Sequence, residues 1–148
     1  MNFLKIKNTI LAALGRVKTM EKLHVDTYTE DKIQNITGIK IATAKEGQIW
    51  VSFQDLNGFL FMNANIISKT SLKSNKGANI ILSTNNETIE LVSDEKVIKS
   101  EFSNVSNNWI TSVSFIINDT EKKLIKFRAF DSMNYVHKKG NIAFMVYK

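Results

Sequence analysis

Few residues in this chain have the types and spacing that acid–base catalysis needs. Adjacent carboxylates occur at Glu30-Asp31 and at Asp94-Glu95, and the surrounding sequence predicts a loop at both places. A pair of carboxylates can divide the roles of general acid and general base. Neighbouring carboxylates within one loop are more often solvated turn residues. We therefore assign no catalytic residue to either pair.

The sequence also predicts no metal site and no cofactor. The two histidines, His24 and His137, have no partner at metal-ligand spacing. The absence of cysteine excludes disulfides, thiolate metal sites and cysteine nucleophiles. Neither a phosphate-binding glycine loop nor a nucleophile-elbow motif is present. We expect a protein without catalytic activity, and a hydrolase or carbohydrate-processing enzyme stays as an alternative because triad members can be distant in sequence.

Small polar residues are concentrated in one segment, residues 100–108, which is rich in serine and asparagine. Hydroxyls and amides at this density can bind a sugar or an ion. The same side chains commonly form hydrogen bonds with the backbone of an irregular connection. We favour this structural interpretation.

Asn57-Gly58 is the strongest local signal in the chain. This pair favours a type I′ turn, in which both central residues need positive φ. A two-residue loop at this point pairs Phe53 with Met62, and the pairs farther from the turn, Val51 with Ala64 and Ile49 with Ile66, are apolar as well. All of them fall on one face, so the turn and the hydrophobic pattern predict the same register.

Two further hairpins are predicted by the same reasoning. Asn85-Asn86 would form a turn that pairs Leu82 with Ile89 and Ile80 with Leu91. The next hairpin would run over residues 109–130, with its turn in residues 118–122 and Ile125, Phe127 and Ala129 alternating along the return strand. Other strands are predicted over residues 97–102 and on both sides of Lys139-Gly140.

Tight turns between short strands indicate antiparallel neighbours and leave no room for crossover helices. We therefore expect a mainly β protein, an antiparallel β-sandwich or a closed barrel of about ten strands, with one N-terminal amphipathic α-helix. Residues 39–148 would form the β domain. Residues 1–38 would supply the helix, over residues 3–23, and a polar connector that ends at Gly38; the whole chain would be a single domain.

Composition narrows the possible partners. The 148 residues carry a net charge of +6, of which residues 1–24 supply +4, and only two of the twenty basic residues are arginines, Arg16 and Arg128. The shortage of arginine weakens the case for nucleic acid. No stretch is as long and apolar as a membrane span, and the charged residues that follow residues 9–14 argue against a signal peptide. We expect a cytoplasmic protein.

Two candidate binding surfaces remain. The first is aromatic and lies on the outer face of the first hairpin: Trp50, Leu56, Phe59 and Phe61. An apolar cluster on a wet face is either covered by another element, for which the N-terminal helix is the obvious candidate, or used for binding. The second is a basic stripe on the third hairpin: Lys122, Lys123, Lys126 and Arg128.

We accordingly predict a non-catalytic binding or assembly module that uses the aromatic face, with a protein as its partner, either a second copy or another chain. The alternative is a nucleic-acid or anionic-surface binder that uses the basic face of the helix and the 122–128 stripe.

Overall fold

The computed structural model of the chain describes residues 27–148. The helix predicted over residues 3–23, and with it His24, lies outside the described residues. Residues 27–34 form a helix, α1. The elements that follow are β1 (Ile39–Ala44), β2 (Gly47–Leu56), β3 (Phe59–Ser68), β4 (Asn79–Ser83), β5 (Thr88–Val92), β6 (Ser100–Ser103), β7 (Asn108–Ile117), α2 (Asp119–Lys126), β8 (Ser132–His137) and β9 (Gly140–Val146).

The nine strands described here form one antiparallel sheet in the order β5-β4-β8-β9-β1-β2-β3-β7-β6. The sheet curls into a half-barrel, so its two ends approach each other. Ser93, just after β5, forms a bridge to Phe115 of β7. The backbone N–H of Asp94 donates to the carbonyl of Ser114 at 2.8 Å. The mainly β class predicted from the sequence is confirmed.

The first hairpin has the predicted register. β2 and β3 pair Phe53 with Met62, and the pairing continues without a shift from Leu56↔Phe59 to Gly47↔Ser68. At the turn, Asn57 has φ 52° and Gly58 has φ 82°, as a type I′ turn requires. β7 then pairs with the free edge of β3.

The second hairpin also has the predicted register, with Leu82 opposite Ile89. Its turn works differently from our expectation, because neither asparagine of the turn adopts positive φ. The hydroxyl of Thr84 instead accepts from the backbone N–H groups of Asn86 and Glu87, at 3.4 and 3.1 Å. A threonine side chain therefore organises this turn.

The predicted third hairpin is wrong in its second half. The segment after β7 is helix α2 and not a turn with a return strand. Asn118 is the N-cap, its side chain accepts from the Glu121 N–H at 2.7 Å, and the Glu121 carboxylate accepts from the Asn118 N–H at 2.9 Å. This reciprocal capping box satisfies two backbone donors that a helix start leaves open. The pattern Asn-x-x-Glu was the sequence signal for a helix.

Helix α2 ends in a Schellman motif. The N–H of Ala129 donates to Leu124 O at 2.8 Å and the N–H of Arg128 donates to Ile125 O at 3.1 Å. Arg128 occupies the left-handed position with φ 56°, where glycine is usual. The predicted alternation is therefore absent at this place: Ile125 is buried, but Phe127 is 72% exposed.

Two other expectations change in detail. The predicted connector contains helix α1, and Gly38 joins it to β1 with φ 99°, where a Cβ would lie 2.2 Å from Val51 O. Only glycine fits that position. The strand predicted over residues 97–102 begins at Ser100, and Ile98 forms an isolated bridge with Ser74.

The core lies inside the curl of the sheet. Side chains of β2, β3 and β7 that point inward meet those of β4, β8 and β9, and α2 contributes Ile125. Among the described residues, Tyr135, Phe115 and Phe144 are the largest fully buried side chains. No helix in residues 27–148 has the length and apolar character needed to cross a membrane.

The capping box provides a test of the corrected element. We expect Asn118→Ala to lower the free energy of unfolding by about 1 kcal/mol, because the N–H of Glu121 loses its acceptor. Asn118→Asp, which keeps an acceptor, should change stability much less. Urea unfolding followed by circular dichroism measures both variants. Equal stability of Asn118→Ala and the parent chain would contradict the role of the cap.

Candidate functional site

Helix α1 covers one part of the outer face of the sheet. Ile33 of α1 packs on Ile67 of β3 and Ile110 of β7, and Ile36 and Trp50 complete this small cluster. Trp50 is partly buried here, and its indole N–H donates to Gln48 Oε1 at 2.8 Å. Trp50 therefore packs in the cluster beside α1, whereas Leu56, Phe59 and Phe61, the other predicted aromatic-face residues, lie outside that cluster.

Glu30 fixes α1 to the connection between β6 and β7. Its Oε1 accepts from the hydroxyls of Ser103 and Ser106 at 3.1 and 2.5 Å, and its Oε2 accepts from the amide of Gln34 at 3.0 Å. These bonds, that of Ser106 first, hold the pKa of the Glu30 carboxyl below its ordinary value. Lys32 of α1 adds an ion pair with Glu101 at 3.0 Å.

The polar segment 100–108 thus has a structural use. Two of its serines bind Glu30, and the Ser103 hydroxyl also accepts from the N–H of Val105 at 3.2 Å. The hydroxyl of Ser100 accepts from the N–H of Leu72 at 2.9 Å and lies 2.6 Å from the Thr111 hydroxyl. These groups are occupied within the protein, as the structural interpretation of the sequence predicted.

The part of the outer face of β2, β3 and β7 that α1 leaves open carries no ionisable side chain. We call it the neutral face. It consists of alternate residues of three adjacent strands, which are held side by side by the pairing of β2, β3 and β7. Its members are Ser52, Gln54, Leu56, Phe59, Phe61, Asn63, Asn65, Ser112, Ser114 and Ile116.

Hydrogen bonds across the strands order the polar half of the neutral face. Ser114 donates to Asn63 Oδ1 at 2.8 Å, and Ser112 donates to Asn65 Oδ1 at 2.6 Å. The amide of Asn63 donates to Gln54 Oε1 at 3.4 Å. Each asparagine is therefore held in one orientation through its side-chain oxygen.

The other half of the neutral face is an apolar strip next to the Asn57-Gly58 turn. Leu56 and Phe59 are directly opposite each other and are 48% and 56% exposed. Phe61 is partly buried and lies opposite Ile116 of β7, which is 45% exposed. The structure thus brings three of the four predicted aromatic-face residues together. The structure also places Ile116 in this strip, a residue that the sequence analysis did not select. The sequence signal for it was an apolar residue on the side of the strand that otherwise carries Ser112 and Ser114.

The predicted basic stripe is divided between two roles. Lys122, Lys123 and Lys126 line a shallow depression of about 300 Å³ on α2, together with Asp119 and the exposed Phe127. Arg128 lies apart: its Nε donates to Tyr147 O at 2.7 Å and its Nη2 donates to Lys40 O at 3.2 Å. Its guanidinium therefore joins the end of α2 to β1 and to the residue after β9.

Three buried polar atoms of β8 have no hydrogen-bond partner among residues 27–148: Asn134 Oδ1, Tyr135 Oη and His137 Nδ1. Burial raises the pKa of Tyr135, so its hydroxyl keeps its proton at neutral pH. Burial, and then the charge of Lys139, lowers the pKa of His137. Within the described residues, no three histidine, aspartate or glutamate side chains gather where they could hold a metal ion.

Comparison with known proteins gives no match for the chain to a protein-family model, a curated protein or a solved structure.

The Glu30 contacts predict a pH dependence of stability. The pKa of Glu30 is lower in the folded protein than in the unfolded chain, so ionised Glu30 adds to the free energy of unfolding. This contribution is complete at a pH above the ordinary glutamate pKa and is lost as the pH falls through the folded pKa. Glu30→Gln should cost about 1 kcal/mol at pH 7, the value of the charge assistance in its hydrogen bonds. The difference between the parent and Glu30→Gln should shrink as pH is lowered to 3. Urea unfolding at several pH values measures it, and a constant difference would contradict the assignment.

The two carbonyl contacts of Arg128 can be tested by their effect on stability. Arg128→Ala loses both carbonyl contacts and keeps a side chain at positive φ, so it should be destabilised by about 2 kcal/mol. Arg128→Gly loses the same contacts but relieves the backbone strain, and should be more stable than Arg128→Ala by about 1 kcal/mol. The thermal unfolding temperature should be highest for the parent, lower for Arg128→Gly and lowest for Arg128→Ala. Unchanged stability in Arg128→Ala would show that the guanidinium has no structural role.

Proposed function

We propose that this protein is a non-catalytic protein-binding module and that the neutral face is its binding surface. The observation that carries the proposal is the run of exposed apolar side chains, Leu56, Phe59 and Ile116, next to an ordered amide and hydroxyl array. Contiguous exposed apolar surface in a soluble domain marks interaction sites.

The composition of the neutral face fits a protein partner better than a charged ligand. Interface centres are depleted in charged residues and enriched in aromatic ones. Paratope surfaces combine aromatic side chains with serine and asparagine, which provide adaptable hydrogen bonds. The neutral face has both properties within a chain in which 23% of residues are charged. A neutral or weakly polar protein surface, on a second copy or on another chain, is the matching partner.

The frame beneath the neutral face supports this function. We infer that the curled sheet closes as a barrel and not as a sandwich, since the Ser93–Phe115 bridge joins β5 to β7. A closed sheet holds its outer face rigid. Rigidity lowers the ordering cost of binding, so even a small patch can contribute useful affinity.

The alternative function, binding of nucleic acid or an anionic surface through the basic stripe, is less well supported. Three lysines remain close together on α2, beside the exposed Phe127. Arg128, the one stripe residue suited to bidentate phosphate contact, uses its guanidinium for two backbone carbonyls.

Replacement of the apolar strip tests the proposed function. Phe59→Ser combined with Ile116→Ser should keep the thermal unfolding temperature close to that of the parent, because the two side chains are 56% and 45% exposed and neither belongs to the core. It should abolish concentration-dependent self-association in sedimentation velocity, or the retention of a partner in affinity purification, because the apolar contact is lost.

Phe127→Ser is the matched control, since Phe127 is also an exposed aromatic but lies outside the neutral face. It should leave the same complex intact. If the complex survives in the double variant, or is lost equally in Phe127→Ser, the neutral face is not the binding surface.

A further inference from the structure

An open cleft of about 580 Å³ lies near the tip of the β8–β9 hairpin and shares no lining residue with the neutral face. Three segments form it: the β3–β4 connection, residues 97–101 leading into and including the start of β6, and the β8–β9 turn. Its lining is rich in lysine and small polar residues: Lys73, Ser74, Asn75, Val97, Ile98, Lys99, Ser100, Glu101, Lys138 and Lys139.

Positive charge dominates this cleft. Lysines outnumber carboxylates in the lining by four to one. The one carboxylate, Glu101, already forms an ion pair with Lys32 at 3.0 Å. Because that pair is the only salt bridge within residues 27–148, none of the four cleft lysines has a carboxylate partner there. Four like charges around one concavity repel each other, and an anion placed between them relieves that repulsion.

The walls of the cleft are fixed by backbone hydrogen bonds. Ser74 and Ile98 exchange two bonds, at 3.0 and 2.7 Å, and the N–H of Gly77 donates to Lys96 O at 2.7 Å. The buried Ser74 hydroxyl donates to Gly77 O at 2.8 Å. The floor therefore exists before a ligand binds, and only the lysine side chains need to become ordered.

From this geometry we propose that the cleft binds a small anion carrying several phosphate groups. The volume is in the range of pockets for small organic ligands and exceeds what a single phosphate needs. Lysines on three separate segments suit charges spread along the ligand, because each ammonium acts as a point charge on one phosphate group. This site is independent of the neutral face, so either proposal can fail without the other.

Inorganic tripolyphosphate is the probe for the site. It should bind the full chain in isothermal titration calorimetry, more weakly as NaCl is raised from 50 to about 300 mM because salt screens the lysines. Lys99→Gln combined with Lys139→Gln should weaken binding at least tenfold. Lys45→Gln combined with Lys148→Gln removes the same charge from exposed positions outside the cleft lining and should leave binding within about twofold.

A second measurement locates the bound anion. The chain has two histidines, so their ring signals are readily assigned in an NMR pH titration. Because the charge of Lys139 helps to keep the pKa of His137 low, an anion held at Lys139 should raise that pKa. The shift should disappear in the Lys99→Gln, Lys139→Gln variant.

Any one of several results would overturn the proposal. One is the absence of tripolyphosphate binding at low salt. Another is equal weakening in the cleft and control variants, or loss of binding only in Lys123→Gln combined with Lys126→Gln, which would place the anion on α2. The third is a single-stranded decanucleotide that binds the cleft more than a hundredfold more tightly than tripolyphosphate, since the ligand would then be a nucleic-acid strand.

Discussion

The described structure depends on the pairing of β3 along both of its edges. β3 is bonded to β2 from Phe59 to Ser68 and to β7 from Leu60 to Ser68, without a register shift on either side. Because side chains alternate along a strand, this double pairing fixes one face of three strands toward the core and the other outward. A slip by one residue would place Met62, Ala64 and Ile66 in water and would bury the asparagines.

The outer face of these three strands has two parts, one covered by α1 and one that stays exposed. Near Ser68, the outward Ile67 and Ile110 are apolar and need a cover, which α1 supplies through Ile33. Glu30 holds that cover in place by accepting from hydroxyls of the β6–β7 connection. Near the Asn57-Gly58 turn, no element of residues 27–148 covers the strip, and Leu56 and Phe59 stay open.

The neutral face has no charged side chain, and clusters of lysines lie on other parts of the surface. Lysines line the cleft near the β8–β9 turn and the outer side of α2, whereas ten adjacent outward positions of β2, β3 and β7 carry none. Such a separation gives residues 27–148 two chemically distinct surfaces. Apolar and amide contacts suit a protein partner, and a lysine-lined concavity suits a phosphorylated anion.

The sequence by itself determined those parts of the fold in which turn chemistry and period-two alternation agree. The registers of the first two hairpins are examples, since the turn length sets the pairing and the apolar face confirms it. Alternation alone was misleading after β7, because Ile125, Phe127 and Ala129 also fit a strand. There the capping box of Asn118 and Glu121 and the packing of Ile125 into the core decided for a helix.

Only the tertiary structure decided which predicted site residues share a surface. Trp50 and Phe59 lie on the same face by alternation, but α1 covers one and not the other, and no local pattern encodes where a helix docks. Arg128 looked like part of a basic stripe, yet its guanidinium is directed to carbonyls 19 and 88 residues away in sequence. The lysine cleft joins three segments that meet only when the sheet curls. Contacts of this kind depend on long-range packing, which the order of residues in one segment does not specify.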